Sequence, residues 1–294
     1  MECKLIRPAD LDEALAAREE YTHDALPIAG GQSLLVMMRN RLVAPAALID
    51  LEPIEALGGV EVSSAGISIG AMNTCRQLIA SPVLDEEIGV LPVAARQVSS
   101  TAVRNLGTIG GNVCHNEPGA DLPPALLALN ARAAVRRRAE AREVPLAEFF
   151  TGYFETVLEP DEILCRIDIE HPPAGAAGVY LKHAISPEDL AMVGVAAVVV
   201  PDGKQTGGVA EVRIGIGGAA PVPLRAARTE AALKGAVLDA ETARAAGETA
   251  ATEVDPPSDP HATADYRRKM VSVFVRRALL QAARQIEENG HGHD

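Results

Sequence analysis

The stretch Ile28-Ala29-Gly30-Gly31-Gln32-Ser33-Leu34 is the most informative part of this chain, because it places a glycine pair between an apolar segment and a helical pattern. Glycine lacks a Cβ and lets the backbone approach a ligand closely. A helix that begins directly afterwards offers unpaired backbone N–H groups, which commonly bind phosphate. Ser33 can cap that helix or bond a phosphate oxygen. The same pattern fits a turn that only closes a βα unit, and this motif alone does not separate the two.

A second glycine pair lies further along the chain, in Gly107-Thr108-Ile109-Gly110-Gly111-Asn112. Its Thr and Asn side chains can donate hydrogen bonds, and the segment could close on the same diphosphate from the opposite side. Asp121 follows and could accept hydrogen bonds from sugar hydroxyls. Two such segments favour one shared ligand, while the alternative is that each is a hairpin turn.

A third glycine motif, Gly215-Ile216-Gly217-Gly218-Ala219-Ala220, matches the G-x-G-x-x-A pattern of dinucleotide-binding proteins. That fingerprint requires a helix to begin at the motif. Pro221 and Pro223 follow at once and favour an extended chain. We therefore interpret the motif as a structural turn and not as a nicotinamide site.

Cysteine spacing bears on metal binding. The four cysteines stand far apart with no C-x-x-C pair, which is unlike a disulfide scaffold, a zinc site or an iron–sulfur site. Cys114 and His115 are adjacent, and in an extended chain neighbouring side chains point to opposite faces. We expect a packed thiol there, no metal ligands in this chain, and any metal to be held elsewhere.

Composition excludes several classes of protein. Among 294 residues, 48% are hydrophobic and 23% charged, so the chain is globular. Its formal charge of −13 argues against binding nucleic acid or an anionic membrane surface. The longest apolar run, residues 191–200, is too short to span a membrane, and no signal peptide is visible at the start. We expect a soluble, cytoplasmic protein.

Hydrophobic periodicity and punctuation predict the elements and a division of the chain. The linker-like segment 171–178 places a boundary near residue 175, giving domains 1–174 and 175–294. The predicted helices are 10–20, 34–42, 81–98 (broken at Pro92), 122–129, 226–238, 240–252 and 264–288. The predicted strands are 48–51, 67–71, a segment from Ala133, 163–169, 178–183, 193–200 and 211–216.

Together the motifs resemble the FAD-binding medium subunit of molybdenum hydroxylases, the family of xanthine dehydrogenase and aerobic carbon monoxide dehydrogenase. The resemblance rests on residues 29–34, 104–112 and 121–129, and further on 180–182, 189–191, 213–221, 266–268 and 276–279. These stretches follow the order of the family and cover nearly the whole chain.

The resemblance implies an α+β protein with a PCMH-type FAD-binding fold in two lobes, followed by a C-terminal domain with a three-stranded antiparallel sheet and a helical bundle. Residues 29–34 and 108–112 would hold the diphosphate and adjoining sugar oxygens, Asp121 a sugar hydroxyl, Leu164 would pack near the cofactor, and Lys182 would lie near the isoalloxazine. The implied cofactor-binding residues are Ala29, Gly30, Gly31, Gln32, Ser33, Leu34, Thr108, Ile109, Gly110, Gly111, Asn112, Asp121, Leu164 and Lys182.

The function implied by the resemblance is electron transfer within a molybdenum-containing dehydrogenase. A large partner chain would carry the molybdenum–pterin cofactor and oxidise the substrate, and a small one would carry two [2Fe–2S] clusters, in an (αβγ)2 assembly. Electrons would pass from the clusters through FAD to an external acceptor. Two alternatives remain: a self-sufficient flavin oxidase or reductase, and a scaffold that has lost its cofactor.

Overall fold

The computed structural model describes residues 3–204 and 206–291; the other residues of the predicted domains lie outside this description. The strands are β1 (Lys4–Ile6), β2 (Ala25–Ile28), β3 (Ala47–Asp50), β4 (Val60–Ser63), β5 (Gly66–Gly70), β6 (Arg132–Arg137), β7 (Glu140–Pro145), β8 (Phe150–Gly152), β9 (Glu155–Thr156), β10 (Ile163–Ile169), β11 (Ala177–His183), β12 (Val193–Pro201), β13 (Val209–Gly217) and β14 (Leu224–Arg225). The helices are α1 (Leu11–Tyr21), α2 (Leu34–Arg39), α3 (Cys75–Ala80), α4 (Pro82–Ile88), α5 (Val90–Arg96), α6 (Thr101–Leu106), α7 (Ile109–His115), α8 (Leu122–Ala128), α9 (Leu146–Phe149), α10 (Ala227–Leu233), α11 (Ala240–Ala250) and α12 (Ala264–His291). Short 3-10 turns occupy Thr22–Asp24 and Glu55–Leu57.

The chain forms two compact units, each built from several stretches of sequence. The first unit comprises the described residues of Met1–Leu78, Ser100–Asn116 and Ala131–Glu170. The second comprises those of Ile79–Ser99, Glu117–Asn130 and His171–Asp294. The predicted division at residue 175 is a separate, linear boundary and stays a prediction.

The first unit contains two sheets of three or more strands, together with the two-stranded antiparallel pair β8-β9. In the smaller sheet, β1 and β2 both pair in parallel with β3, in the order β1-β3-β2. Leu11 and Leu15 of α1 share a buried cluster with Ile49 of β3, so the helix covers this sheet. The larger sheet is antiparallel in the order β4-β5-β10-β6-β7. Because β2 ends at Ile28, the sheet holds one end of the first glycine segment in place.

The second unit is built on one antiparallel sheet, in the order β11-β12-β13-β14. The three long strands β11, β12 and β13 correspond to the three-stranded sheet that the resemblance implied. The two-residue strand β14 adds a fourth strand that was not expected. On α12 the buried side chains recur three or four residues apart, which makes one apolar face. These side chains, which join the core of the sheet, are Val271, Val275, Ala278, Leu279 and Ala282.

Helix α8 is buried on every side: all seven of its residues are buried. A helix that is apolar all round belongs in a protein core. It packs so closely on β13 that a Cβ at Gly215 would lie 2.0 Å from the Pro124 carbonyl oxygen. Gly215 therefore serves helix–sheet packing. After Gly217 the chain continues to β14 with no helix, as predicted for this motif.

The structure corrects one predicted helix break. The segment 81–98 is interrupted at Gly89, between α4 and α5, and not at Pro92. Pro92 lies in the first turn of α5, where a backbone N–H has no intrahelical partner and its loss costs nothing. The other predicted helices and strands are present, with ends that differ by a few residues. Among residues 3–204 and 206–291, none of the helices combines the length and apolarity required to cross a membrane.

Replacing Gly215 by alanine tests the close packing of α8 on β13. Because the new Cβ is fixed to the β13 backbone and meets a backbone carbonyl oxygen of α8, the helix must move away from the sheet, and we expect the free energy of unfolding to fall by about 1–3 kcal/mol. The matched control is Gly58→Ala, where the new Cβ would meet its nearest atom at an ordinary 3.4 Å. Urea unfolding of both variants measures the difference; equal stability would show that α8 and β13 are not packed this tightly.

Candidate functional site

The first glycine segment is a half-buried connection between β2 and α2. Gly31 has a φ of +67°, a backbone conformation that favours glycine. The Gln32 Nε2 donates to the Gly30 carbonyl oxygen at 2.9 Å and braces the turn. The backbone N–H groups from Gly31 to Leu34 donate to no other described residue. Buried or half-buried N–H groups normally have a partner, so this segment fits a bound polar group such as a phosphate.

The second glycine segment is the start of α7, and so it is not the hairpin turn that was the alternative for this segment. Thr108 caps the helix, and its Oγ1 accepts a hydrogen bond from the Gly111 N–H at 3.0 Å. The N–H groups of Ile109, Gly110 and Asn112 donate to carbonyl oxygens within the first unit. What remains for a ligand is chiefly the Asn112 side chain, whose Oδ1 is buried without a partner among the described residues. An orphaned acceptor of this kind fits a hydroxyl of a bound molecule.

The two glycine segments lie against each other. A Cβ at Gly30 would lie 1.9 Å from the Leu106 carbonyl oxygen and 3.0 Å from the Gly107 Cα. Only glycine at position 30 permits this approach. The structure thus brings together the two segments that the sequence predicted to share one ligand.

Leu164, the remaining candidate in the first unit, lies in β10 next to Val135 of β6. It is 4% exposed, and the register of the two strands shifts just beyond it. Its packing against a cofactor stays a prediction.

The candidates Asp121 and Lys182 form a buried ion pair in the second unit. The Lys182 Nζ donates to the Asp121 Oδ2 at 3.0 Å and to the Gln97 carbonyl oxygen at 2.8 Å. Both side chains are 4% exposed. The Tyr180 hydroxyl donates to the other carboxylate oxygen, Oδ1, at 2.7 Å. Asp121 begins the buried helix α8, while Tyr180 and Lys182 are two residues apart on β11 and so share one face of the sheet.

Burial and the hydrogen-bonding partners shift the pKa of Asp121 in opposite directions. Burial raises the pKa of Asp121 to about 6, although the Lys182 ammonium and the Tyr180 hydroxyl both favour the carboxylate. Burial also raises the pKa of Tyr180 well above its usual range, so its hydroxyl keeps the proton that it donates. Both oxygens of Asp121 already accept a hydrogen bond, whereas Lys182 has used two of its three N–H groups. The third N–H of Lys182, which has no acceptor among the residues that the structure describes, and its positive charge suit an anionic or electron-rich ligand.

Tyr180 and Gln97 had no predicted role in the site. The alternation of side chains along a strand could have found Tyr180, because residues i and i+2 point to the same face. Gln97 contributes its backbone carbonyl, and no sequence signal identifies which backbone group a lysine will contact. The first unit holds the glycine segments and Leu164, and the second holds Asp121 and Lys182.

Cys114 and His115 lie in α7, so the expectation of an extended chain there was wrong. Cys114 is partly buried, and burial raises the pKa of its thiol to about 12, which disfavours the reactive thiolate and fits the expectation of a packed thiol. Burial lowers the pKa of His115, whose ring contacts that of Phe154. Within the described part of the chain, no three His, Cys, Asp or Glu side chains cluster as they would around a metal ion.

Removing the Tyr180 hydroxyl tests whether it stabilises the buried carboxylate. Tyr180→Phe leaves the Asp121 Oδ1 buried without this donor, so the free energy of unfolding should fall by about 1–3 kcal/mol. Tyr153→Phe removes a hydroxyl from a side chain that is half exposed and should change stability little. Chemical denaturation of both variants makes the comparison, and equal losses would contradict the role given to Tyr180.

The raised pKa of Asp121 predicts a pH dependence of stability. An aspartate in an unfolded chain has a pKa of about 3.9, so between pH 4 and pH 6 the folded state binds more protons than the unfolded state. The contribution of this carboxyl group to stability is therefore greatest below pH 4 and is lost as the pH rises through 6. The difference in unfolding free energy between wild type and Asp121→Asn should shift against wild type over this range. Asp12→Asn, at a side chain 79% exposed, is the control; parallel pH profiles for all three proteins would disprove the shift.

Comparison with known proteins now defines the family. Residues 1–172 match the family described as "FAD binding domain in molybdopterin dehydrogenase", and residues 179–282 match "CO dehydrogenase flavoprotein C-terminal domain". The carbon monoxide dehydrogenase medium chain of Hydrogenophaga pseudoflava is 34% identical over 94% of this chain and 95% of its own length. The nicotine 6-hydroxylase medium subunit of Paenarthrobacter nicotinovorans is 32% identical over 94% of this chain and 95% of its own.

Solved structures agree with these sequence matches. A chain of the carbon monoxide dehydrogenase of Hydrogenophaga pseudoflava, in a form that lacks the Mo-pyranopterin moiety, superposes with a TM-score of 0.93 at 34% identity and covers 97% of this chain and 98% of that one. The expected α+β fold, with an FAD-binding domain followed by a C-terminal domain, is thereby confirmed. The chain belongs to the family of FAD-binding medium subunits of molybdenum-containing dehydrogenases, which are oxidoreductases.

Proposed function

We propose that the two glycine segments bind FAD and that the chain is the electron-transfer subunit of a molybdenum hydroxylase complex. The observation that carries the proposal is the row of unpaired N–H groups from Gly31 to Leu34, held against the second glycine segment through Gly30. FAD carries a diphosphate, and free backbone N–H groups are a general means of binding one. The family match over residues 1–172 supports the same ligand.

Each predicted residue has a proposed task in holding FAD. The backbone from Ala29 to Leu34 donates to the diphosphate, and the buried Asn112 Oδ1 accepts from a sugar hydroxyl. Leu164 contributes apolar contact. The other members of the second segment, which shape and position Asn112, are Thr108, Ile109, Gly110 and Gly111.

In the second unit we propose that Asp121 accepts from a further sugar hydroxyl, alongside the bonds it receives from Tyr180 and Lys182. Lys182 is proposed to act on the isoalloxazine end. Its Nζ is held by the Gln97 carbonyl and by Asp121, which leaves one N–H to donate and a positive charge to offset negative charge on the ligand. A preorganised cation needs no rearrangement when that charge develops.

Bound FAD would supply a carrier that accepts electrons singly and releases them in pairs. We propose that a large partner chain with a molybdenum–pterin cofactor oxidises the substrate. The electrons then pass through two [2Fe–2S] clusters on a small partner chain to FAD, and an external acceptor removes them from FAD. The relatives named as a medium chain and a medium subunit support further chains in the complex, for which we propose (αβγ)2. We further propose domains 1–174 and 175–294, since the two family matches end at 172 and begin at 179.

Placing a carboxylate at Ser33 tests the phosphate-binding role of the first segment. Ser33 precedes α2, and an aspartate there suits a helix start but repels a diphosphate. We expect Ser33→Asp to weaken FAD binding at least tenfold, or about 1.4 kcal/mol, without loss of stability. The matched control is Ser81→Asp, at the start of α4. Flavin absorbance after titration with FAD measures both; equal affinity in the two variants would remove the first segment from the site.

The electron-transfer role is tested by spectra of the chain alone and of the purified complex. Flavin bands from the chain alone, with iron–sulfur and molybdenum signals only in the complex, would support it. Reduction of the flavin by substrate in the isolated chain would instead favour a self-sufficient oxidase or reductase. A colourless chain after addition of FAD would favour a scaffold.

A further inference from the structure

We propose that α2 and the turn after it dock an acidic, apolar surface of a partner subunit of the same complex. This inference rests on the proposed function, which requires partner subunits. The proposed docking surface, called the α2 surface below, consists of Leu35, Val36, Met37, Met38, Arg39, Arg41 and Leu42.

The first step is that α2 has an apolar composition and no buried residue. Five of its six residues are apolar, yet none is buried in the first unit. Leu35 is 50% exposed and Val36 41%. A single exposed leucine is ordinary, but short helices depend on packing an apolar face for their stability. Leu34, Met37 and Met38 are only partly covered, and a helix that leaves this much apolar surface exposed indicates a surface that another molecule covers.

The second step is the strained end of the helix. The Arg41 N–H donates to the Met38 carbonyl and the Leu42 N–H to the Met37 carbonyl, which is the Schellman pattern of a helix end. The left-handed position in that pattern is usually glycine, but here it is Arg41, with a φ of +61°. The turn leaves Leu42 71% exposed, more than any other large apolar side chain of the described residues. Conformational strain that presents an arginine and a leucine to solvent points to a function for both side chains.

The charge of the α2 surface differs in sign from the net charge of the chain. The sequence has neither Asp nor Glu from residue 25 to residue 49, although the chain as a whole carries a charge of −13. Neither Arg39 nor Arg41 forms an ion pair with another residue that the structure describes. The α2 surface is thus a basic region on an acidic protein. Methionine and arginine are enriched at the centres of protein interfaces, and lysine and carboxylates are depleted there, as they are here.

These properties select the occupant. An apolar patch with unpaired arginines complements an apolar surface that carries carboxylates. A second copy of this chain, paired about a two-fold axis, would place the same basic surface against itself and repel. A partner subunit with carboxylates around an apolar centre satisfies both the exposed leucines and the arginines.

The experiment measures assembly of variant chains with the large and small partner chains, separated from the native complex in mild chaotrope. Leu42→Asp should weaken reassembly at least tenfold, because it replaces an exposed apolar side chain of the α2 surface by a negative charge that an acidic partner repels. Arg41→Gly should weaken reassembly and flatten its dependence on NaCl concentration, yet raise the thermal midpoint of the isolated chain because glycine relieves the positive φ. The controls are Val62→Asp, at a side chain 46% exposed, and Arg138→Glu, at one 65% exposed.

The outcomes separate this inference from the proposed function. Weaker reassembly of both variants with unchanged FAD binding supports the α2 surface as the docking site. Reassembly equal to wild type overturns it while leaving the proposed function intact. Loss of FAD binding with normal reassembly shows that the cofactor covers α2, and a change in self-association shows that a second copy does; either overturns the inference. A wild-type chain that binds FAD but joins no complex refutes the proposed function as well.

Discussion

The close approach of Gly30 to the Leu106–Gly107 backbone is the constraint on which the candidate site depends. Any side chain at position 30 would occupy the place of the Leu106 carbonyl oxygen. This contact joins the end of a parallel strand pair to the start of α7, two parts of the chain that are far apart in sequence. The N–H groups from Gly31 to Leu34 and the Asn112 Oδ1, which have no partner in the part of the chain that the structure describes, are therefore held in one unit by backbone packing and are available to a ligand.

The second unit solves a different physical problem, that of keeping a lysine charged and fixed while it is nearly inaccessible to water. A buried ammonium without a partner is unstable, and a buried carboxylate beside it compensates only if its own hydrogen bonds are satisfied. The Tyr180 hydroxyl and the Gln97 carbonyl complete that set. These hydrogen bonds do not fully offset the cost of burying the carboxylate, because the pKa of Asp121 is still raised. Such a network costs free energy of folding but holds a cation in a defined position. Buried groups with a shifted pKa are common where a protein acts on a ligand.

The two glycine segments have similar sequences but use their backbone N–H groups differently. Both were predicted to hold the same diphosphate, but in the second segment the backbone N–H groups are used to start α7 and to hold it against the residues before α3. Helix α2 shows a different case, a helix whose apolar side chains are at most partly covered. Its apolar composition is also typical of a core helix. A sequence pattern indicates that a helix is apolar, but it does not indicate whether the same chain or another molecule buries it.

The sequence by itself predicted the order of elements and located the two glycine segments, since apolar periodicity and glycine positions are local properties that survive without the fold. The family followed from the resemblance of its motifs, taken in order along the chain. The sequence also identified the third glycine motif as structural, because two prolines follow it. Only the tertiary structure decided that Gly30 meets Leu106, that Tyr180 and a backbone carbonyl complete the Asp121–Lys182 pair, that Pro92 continues a helix, and that α2 stays exposed. The position of Pro92 depends on where α5 begins. The other features depend on contacts between residues distant in sequence, where packing distance and burial decide which hydrogen bonds and apolar surfaces are satisfied.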